Sequence, residues 1–127
     1  MNKFTDPKKN SMTKWFATCK KMQLPYVVVN HREWGSVIEW DYTHFEKDIQ
    51  KVIRSEASEI SRLLKLLLTK YGNQNTMFEG AALVGTIKYI EPMNAEMLAN
   101  ELFDLFVKYS HYYNPKLKDY VDSKAYH

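Results

Sequence analysis

Two groupings in this chain hold side chains that can move protons or hold a cation. The first is Asn30-His31-Arg32-Glu33, where an imidazole sits two positions from a carboxylate. Histidine titrates close to neutral pH, and a partner carboxylate can fix its tautomer for general acid or base work. The segment reads as a loop, a common seat of such groups. No second histidine or evident nucleophile stands beside it. The second grouping is Asp41, His44 and Asp48, spaced by three and four, so that the last two share one helix face. Gathering the trio around a metal requires Asp41 to precede the helix and fold inward. Their simpler role is to cap and solvate a helix start, where acids complement the dipole. No metal and no cofactor is assigned on this basis.

A third grouping suits nucleic acid. Residues 1–24 carry a net charge of +5, against −2 for the remainder. Lys14, Lys20 and Lys21 fall on a short helix and can meet phosphates. Trp34 and Trp40 alternate onto one strand face, where rings can stack bases, and Arg32 lies just before them. Glu39 and Asp41, rather than lysines, interleave these aromatics, which counts against a phosphate-tracking surface. A strand packed beneath a helix shows the same alternation. Lysine outnumbers arginine 15 to 3, whereas base reading favours bidentate arginine. The lysine bias, with abundant Asn and Tyr, accords with an AT-rich genome and suggests a phage-type accessory protein.

Other chemistries lack their motifs. The four glycines, at 35, 72, 80 and 85, supply neither a phosphate-binding loop nor a dinucleotide fingerprint. A Gly-x-Ser-x-Gly elbow is absent too. The single cysteine, Cys19, cannot form an intramolecular disulfide and fits a small buried apolar residue. No window approaches the ~20 apolar residues of a membrane span, and no signal-peptide pattern opens the chain. A cytoplasmic protein with no membrane contact is expected.

The elements that must position these groups read as one domain, because 127 residues with 45% hydrophobic content are too few for two cores. A flexible basic leader over 1–10 and a polar tail over 115–127 are expected to flank a domain spanning 11–114. Ser11 can cap a helix that Pro25 stops. Tyr26–Val29 is a short β-branched strand, Asn30–Glu33 its loop, and Trp34–Tyr42 an alternating strand. Met77–Ile90 exceeds the usual strand length, so Gly80 or Gly85 should mark a bulge, a bend or a break into two strands. Asn94 then caps a helix with Leu98, Leu102, Leu105 and Tyr109 on its face.

Thr43 to Tyr71 reads as one long amphipathic helix. Thr43 and Glu46 form a capping-box pattern at its start, and Gly72 can end it in the left-handed conformation. Such a helix spans about 42 Å at ~1.5 Å per residue, against a radius of gyration near ~14 Å for a domain of this size. Its stripe therefore predicts a homo-oligomer. Ile53, Ile60, Leu64, Leu67 and Tyr71 would form the interface, joined by Tyr109, Tyr112 and Tyr113, a residue type favoured at interfaces.

The fold class expected is α+β: a small antiparallel sheet of three or four strands packed against helices, in the order α-β-β-α(long)-β-α. The leading functional expectation is a small non-enzymatic binding protein, an inhibitor, adaptor or phage-type accessory factor. It would act as a homo-oligomer through protein contacts or a small anionic ligand such as a nucleotide. A nucleic-acid-binding protein using the basic helix and the aromatic strand face is the first alternative. A small enzyme with His31, Glu33, Asp41 or His44 in its site is the second.

Overall fold

The computed structural model describes residues 9–81 and 84–110, with side chains from Lys14 to Lys108. In chain order the elements are α1 (Lys9–Met22), β1 (Tyr26–Arg32), β2 (Gly35–Asp41), α2 (Lys47–Ser55), α3 (Ala57–Tyr71), β3 (Met77–Gly80), β4 (Val84–Ile90) and α4 (Pro92–Ser110). The fold is α+β, with one antiparallel sheet ordered β1-β2-β4-β3. Leader residues 1–8 and the whole expected tail lie outside the described residues, as do Tyr112 and Tyr113.

β1 with β2 and β3 with β4 form two antiparallel hairpins. In the first, pairing runs from Tyr26 opposite Asp41 to Arg32 opposite Gly35, leaving only Glu33 and Trp34 as the turn. His31 therefore sits on a strand and not in the expected loop. Gly35, at φ 128°, supplies the backbone step that lets the strands pair up to the turn. The second hairpin splits the long β region in two, with Gly80 opposite Gly85 beside its turn. A Cβ on Gly85 would lie 2.3 Å from Cζ2 of Trp40, so the glycine gives this indole its seat. Phe78 stacks on the same indole, with centroids 5.8 Å apart and planes 12° from parallel.

Ser36, Ile38 and Trp40 on β2, followed by Tyr42, all turn into the core. Trp40 is only 2% exposed, which removes it from any base-stacking surface. The alternation marked the packed side of the sheet, not an open one. Val27 and Val29 of β1 and Ile87 of β4 join it in one hydrophobic cluster with the helices. Within that cluster α4 packs against β1, β2, α2 and α3.

The expected long helix is two helices joined at Glu56, whose φ of −99° and ψ of 12° depart from helical values. The Ser55 hydroxyl donates to the Val52 carbonyl at 2.7 Å, and the Glu56 N–H is shared between the Val52 and Ile53 carbonyls. Such back-bonding competes with the helical ladder and bends it. The apolar stripe survives the break. Ile53, Ile60, Leu64 and Tyr71 are buried within the chain's own core, and Leu67 packs against it half-buried. They are not a free oligomer interface. Leu66, on the other side of α3, is exposed.

Both ends of this helical pair are capped differently from expectation. Thr43 donates its N–H and its hydroxyl to Asp41 Oδ1, at 2.8 and 2.5 Å, and makes no capping box. The N–H of Glu46 is instead met by Oε1 of Gln23 at 2.6 Å. Gln23 also donates to the carbonyls of Lys20 and His44, tying the end of α1 to the start of α2. At the far end Gly72 is extended, at φ −84° and ψ 176°. Its smallness still matters, because a Cβ there would lie 2.7 Å from the Leu68 carbonyl oxygen. Asn94 lies inside α4 and not at its N-cap, and its side-chain amide donates to the Tyr71 carbonyl at 3.1 Å, satisfying the end of α3. Among the described residues no helix is long and apolar enough to cross a membrane.

Candidate functional site

The turn of the first hairpin, the β4–α4 junction and the loop before β3 meet at one end of the sheet. They enclose a groove of about 430 Å³ lined by Arg32, Glu33, Trp34, Asn73, Tyr89 and Glu91, among others. Trp34 is 55% exposed, and its ring lies 5.2 Å from that of Tyr89 at an interplanar angle of 59°. The two rings form an open corner.

Tyr89 reaches this corner through an irregularity in β4. Ser36 pairs with Ile90 and Ile38 with Ile87, so β4 spends three steps where β2 spends two. The extra residue is a bulge, a device that redirects a side chain. Tyr89 takes φ 62° there, a conformation costing an L-residue about 1–2 kcal/mol. Neighbours hold it in place. Thr76 Oγ1 donates to the Tyr89 carbonyl at 3.1 Å and accepts from the Asn73 N–H at 2.9 Å. Asn73 Oδ1 in turn accepts from the Asn75 N–H at 2.7 Å. Gly35 presses from the other side, where a Cβ would come within 3.1 Å of the Tyr89 Cα. Among the described residues Arg32, Glu33 and Glu91 take no part in an ion pair.

One step along β1, His31 bridges two partners. Its Nδ1 lies 2.5 Å from Ser36 Oγ and its Nε2 2.8 Å from Glu96 Oε1 on α4. A serine, an imidazole and a carboxylate in series resemble a nucleophilic relay. Ser36 is 0% exposed, however, so no substrate atom can approach its hydroxyl. In this geometry the relay braces the hairpin against α4. The carboxylate that meets His31 is Glu96 and not the expected Glu33. Ser36 was findable in principle, because it sits opposite His31 once the turn is shortened to two residues. Glu96 carried no local signal.

The remaining sequence candidates are dispersed. Asp41 is occupied by Thr43, and His44 Nε2 donates to the Leu24 carbonyl at 2.5 Å. Asp48 is exposed in the first turn of α2. Burial lowers the His44 pKa below its ordinary value, with the Leu24 hydrogen bond opposing. No three metal-capable side chains gather among the described residues. Lys14, Lys20 and Lys21 are exposed on α1. The end of α1 meets the chain beside Leu24 and Tyr26, at the opposite end of β1 from Arg32 and Trp34. Seven strand residues, about 23 Å, separate the two halves of the expected nucleic-acid surface. Tyr109 belongs to α4, but its side chain is outside the described set.

The sheet face opposite the core cluster carries a second groove of about 690 Å³, lined by Tyr26, Asn30, Glu39, Asp41, Glu79 and Thr86, among others. Burial, followed by Cys19, Glu39 and Asp41, raises the Tyr26 pKa. Comparison of the chain with protein-family models, curated proteins and solved structures found no match.

Proposed function

We propose that this is a non-enzymatic binding protein that engages its partner with the hairpin end of the sheet, around Trp34 and Tyr89. The observation that carries this reading is Tyr89, held in a left-handed backbone so that its ring faces an exposed indole. Backbone strain of this kind persists only where neighbours over-determine it, and it concentrates at functional positions. An exposed tryptophan beside a groove is the residue type most enriched at binding hot spots. Met93 and Met97 extend the apolar surface along the adjoining first turns of α4, with Met93 76% exposed. Bracing by the Ser36–His31–Glu96 contacts favours binding by limiting what must be ordered on association.

The test compares proteins captured by the wild-type chain, by Trp34→Ala and by Leu66→Ala, a control on an exposed site in α3. A partner kept by the wild type and the control but lost with Trp34→Ala supports the reading. Unchanged capture by a folded Trp34→Ala variant overturns it. Mass by light scattering on the same proteins reports whether the partner includes a second copy of this chain.

A further inference from the structure

We infer that the groove at the hairpin end receives an arginine or lysine side chain from a basic segment of a protein partner. This rests on the proposed role of that end and supplies its chemistry. Aromatic faces carry negative charge density, so the open corner between Trp34 and Tyr89 attracts a cation placed over either ring. Glu33 and Glu91 line the same groove, and neither is neutralised by an ion pair among the described residues. Against them, among the described residues that line the groove, stands one cation, Arg32. The local field therefore favours a positive occupant over a phosphate or carboxylate.

Size and surroundings fit the same occupant. A groove of about 430 Å³ falls within the usual range of small-ligand sites and admits a cationic head with its aliphatic stem. Met93, next to the groove residue Pro92, offers a soft apolar surface along which such a stem can lie. Asn73 and Asn75, joined by the bond from the Asn75 N–H to Asn73 Oδ1, also line the groove. A nucleotide would gain stacking on the corner but meet two carboxylates with its phosphates. The charge balance decides between them.

The experiment titrates the full chain with the blocked tripeptides Ac-Gly-Arg-Gly-NH2 and Ac-Gly-Lys-Gly-NH2. Ac-Gly-Glu-Gly-NH2 and adenosine monophosphate serve as competing chemistries. The readout is the indole N–H resonance of Trp34, assigned by its loss in Trp34→Phe. Saturable shifts with both cationic peptides are expected, with Kd on the order of millimolar for so small a probe. The double variant Glu33→Gln/Glu91→Gln keeps the aromatic corner and should weaken binding about tenfold with unchanged far-UV circular dichroism. Equal or larger shifts with the acidic peptide or the nucleotide overturn the inference, as does silence with both cations at about 50 mM, well above that Kd. Trp34-dependent capture of a partner without any cation response would sink this inference and leave the hairpin-end role standing. A cation response without Trp34-dependent capture would show that the groove prefers a cation but overturn the hairpin-end role, and with it a protein partner as the source of that cation.

Discussion

Glu96 on α4 lies 2.8 Å from His31 on the edge strand, across 65 residues of sequence, while the other imidazole nitrogen meets the buried Ser36. Replacing His31 with Ala strands the Ser36 hydroxyl in the core, a loss expected to cost about 1–2 kcal/mol. Glu96→Ala removes a half-exposed contact, and about 0.5 kcal/mol is expected. Urea denaturation of both variants and their double mutant measures the coupling. Strict additivity would mean that the three side chains do not act as a unit.

Tyr42 is fully buried, its hydroxyl has no hydrogen-bond partner among the described residues, and burial pushes its pKa well up. Tyr42→Phe removes a polar atom that loses its water on folding and gains nothing in return. A gain of about 1 kcal/mol in unfolding free energy is expected. A clear loss of stability would show that the hydroxyl is satisfied after all.

Gly85 is where the sheet makes room for Trp40. Gly85→Ala should force the indole off its seat and its stack with Phe78, destabilising by about 1–3 kcal/mol as overpacked sites do. Adding Trp40→Leu should recover part of that loss. If the double variant is no more stable than Gly85→Ala alone, the clash lies elsewhere.

His44 supplies a pH dependence with a definite sign. Its pKa is lowered in the fold, chiefly by burial, from an ordinary value of 6.5. The unfolded chain therefore takes up the proton first on acidification. The stabilising contribution is complete above the ordinary value and is lost as pH falls below it toward the folded-state value. Stability measured between about pH 7 and pH 5 should decline, and His44→Gln should flatten that decline. An unchanged slope in His44→Gln would assign the effect to other groups.

The sequence carried the element types well because they follow from local periodicity. Strand alternation from Ser36 to Tyr42 and the three-and-four spacing from Ile49 to Leu64 both appear in the fold. Alternation cannot say which face of a sheet is covered, so Trp40 was equally readable as a stacking platform or as core. The break at Glu56 accompanies a serine hydroxyl bonded to the Val52 carbonyl, an option open to most helical serines and threonines. Thr18 and Thr69 take it without breaking their helices, so the residue type alone does not mark the break. The cap on Glu46 comes from Gln23, and the partner of His31 from Glu96; both lie too far along the chain for any local pattern to mark. Of the candidate site, Arg32 and Trp34 were legible as residue types. Tyr89 was not, because a bulge residue looks like any strand tyrosine until register is known.

The β2–β4 seam also sets an order of events in folding. Each hairpin can close by itself, since its strands are near neighbours along the chain. Asp41 meets Val84 only after both intervening helices have been laid down, and the entropy of closing so long an excursion opposes early pairing. The middle of the sheet is thus its latest ladder to assemble, inverting the intuition that a sheet grows outward from its centre. Pulse-labelled amide exchange during refolding should protect Val28 and Asn30, the β1 residues whose N–H groups face β2 in a hairpin with a two-residue turn, before Ile87. Simultaneous protection would show that the seam forms together with the first hairpin.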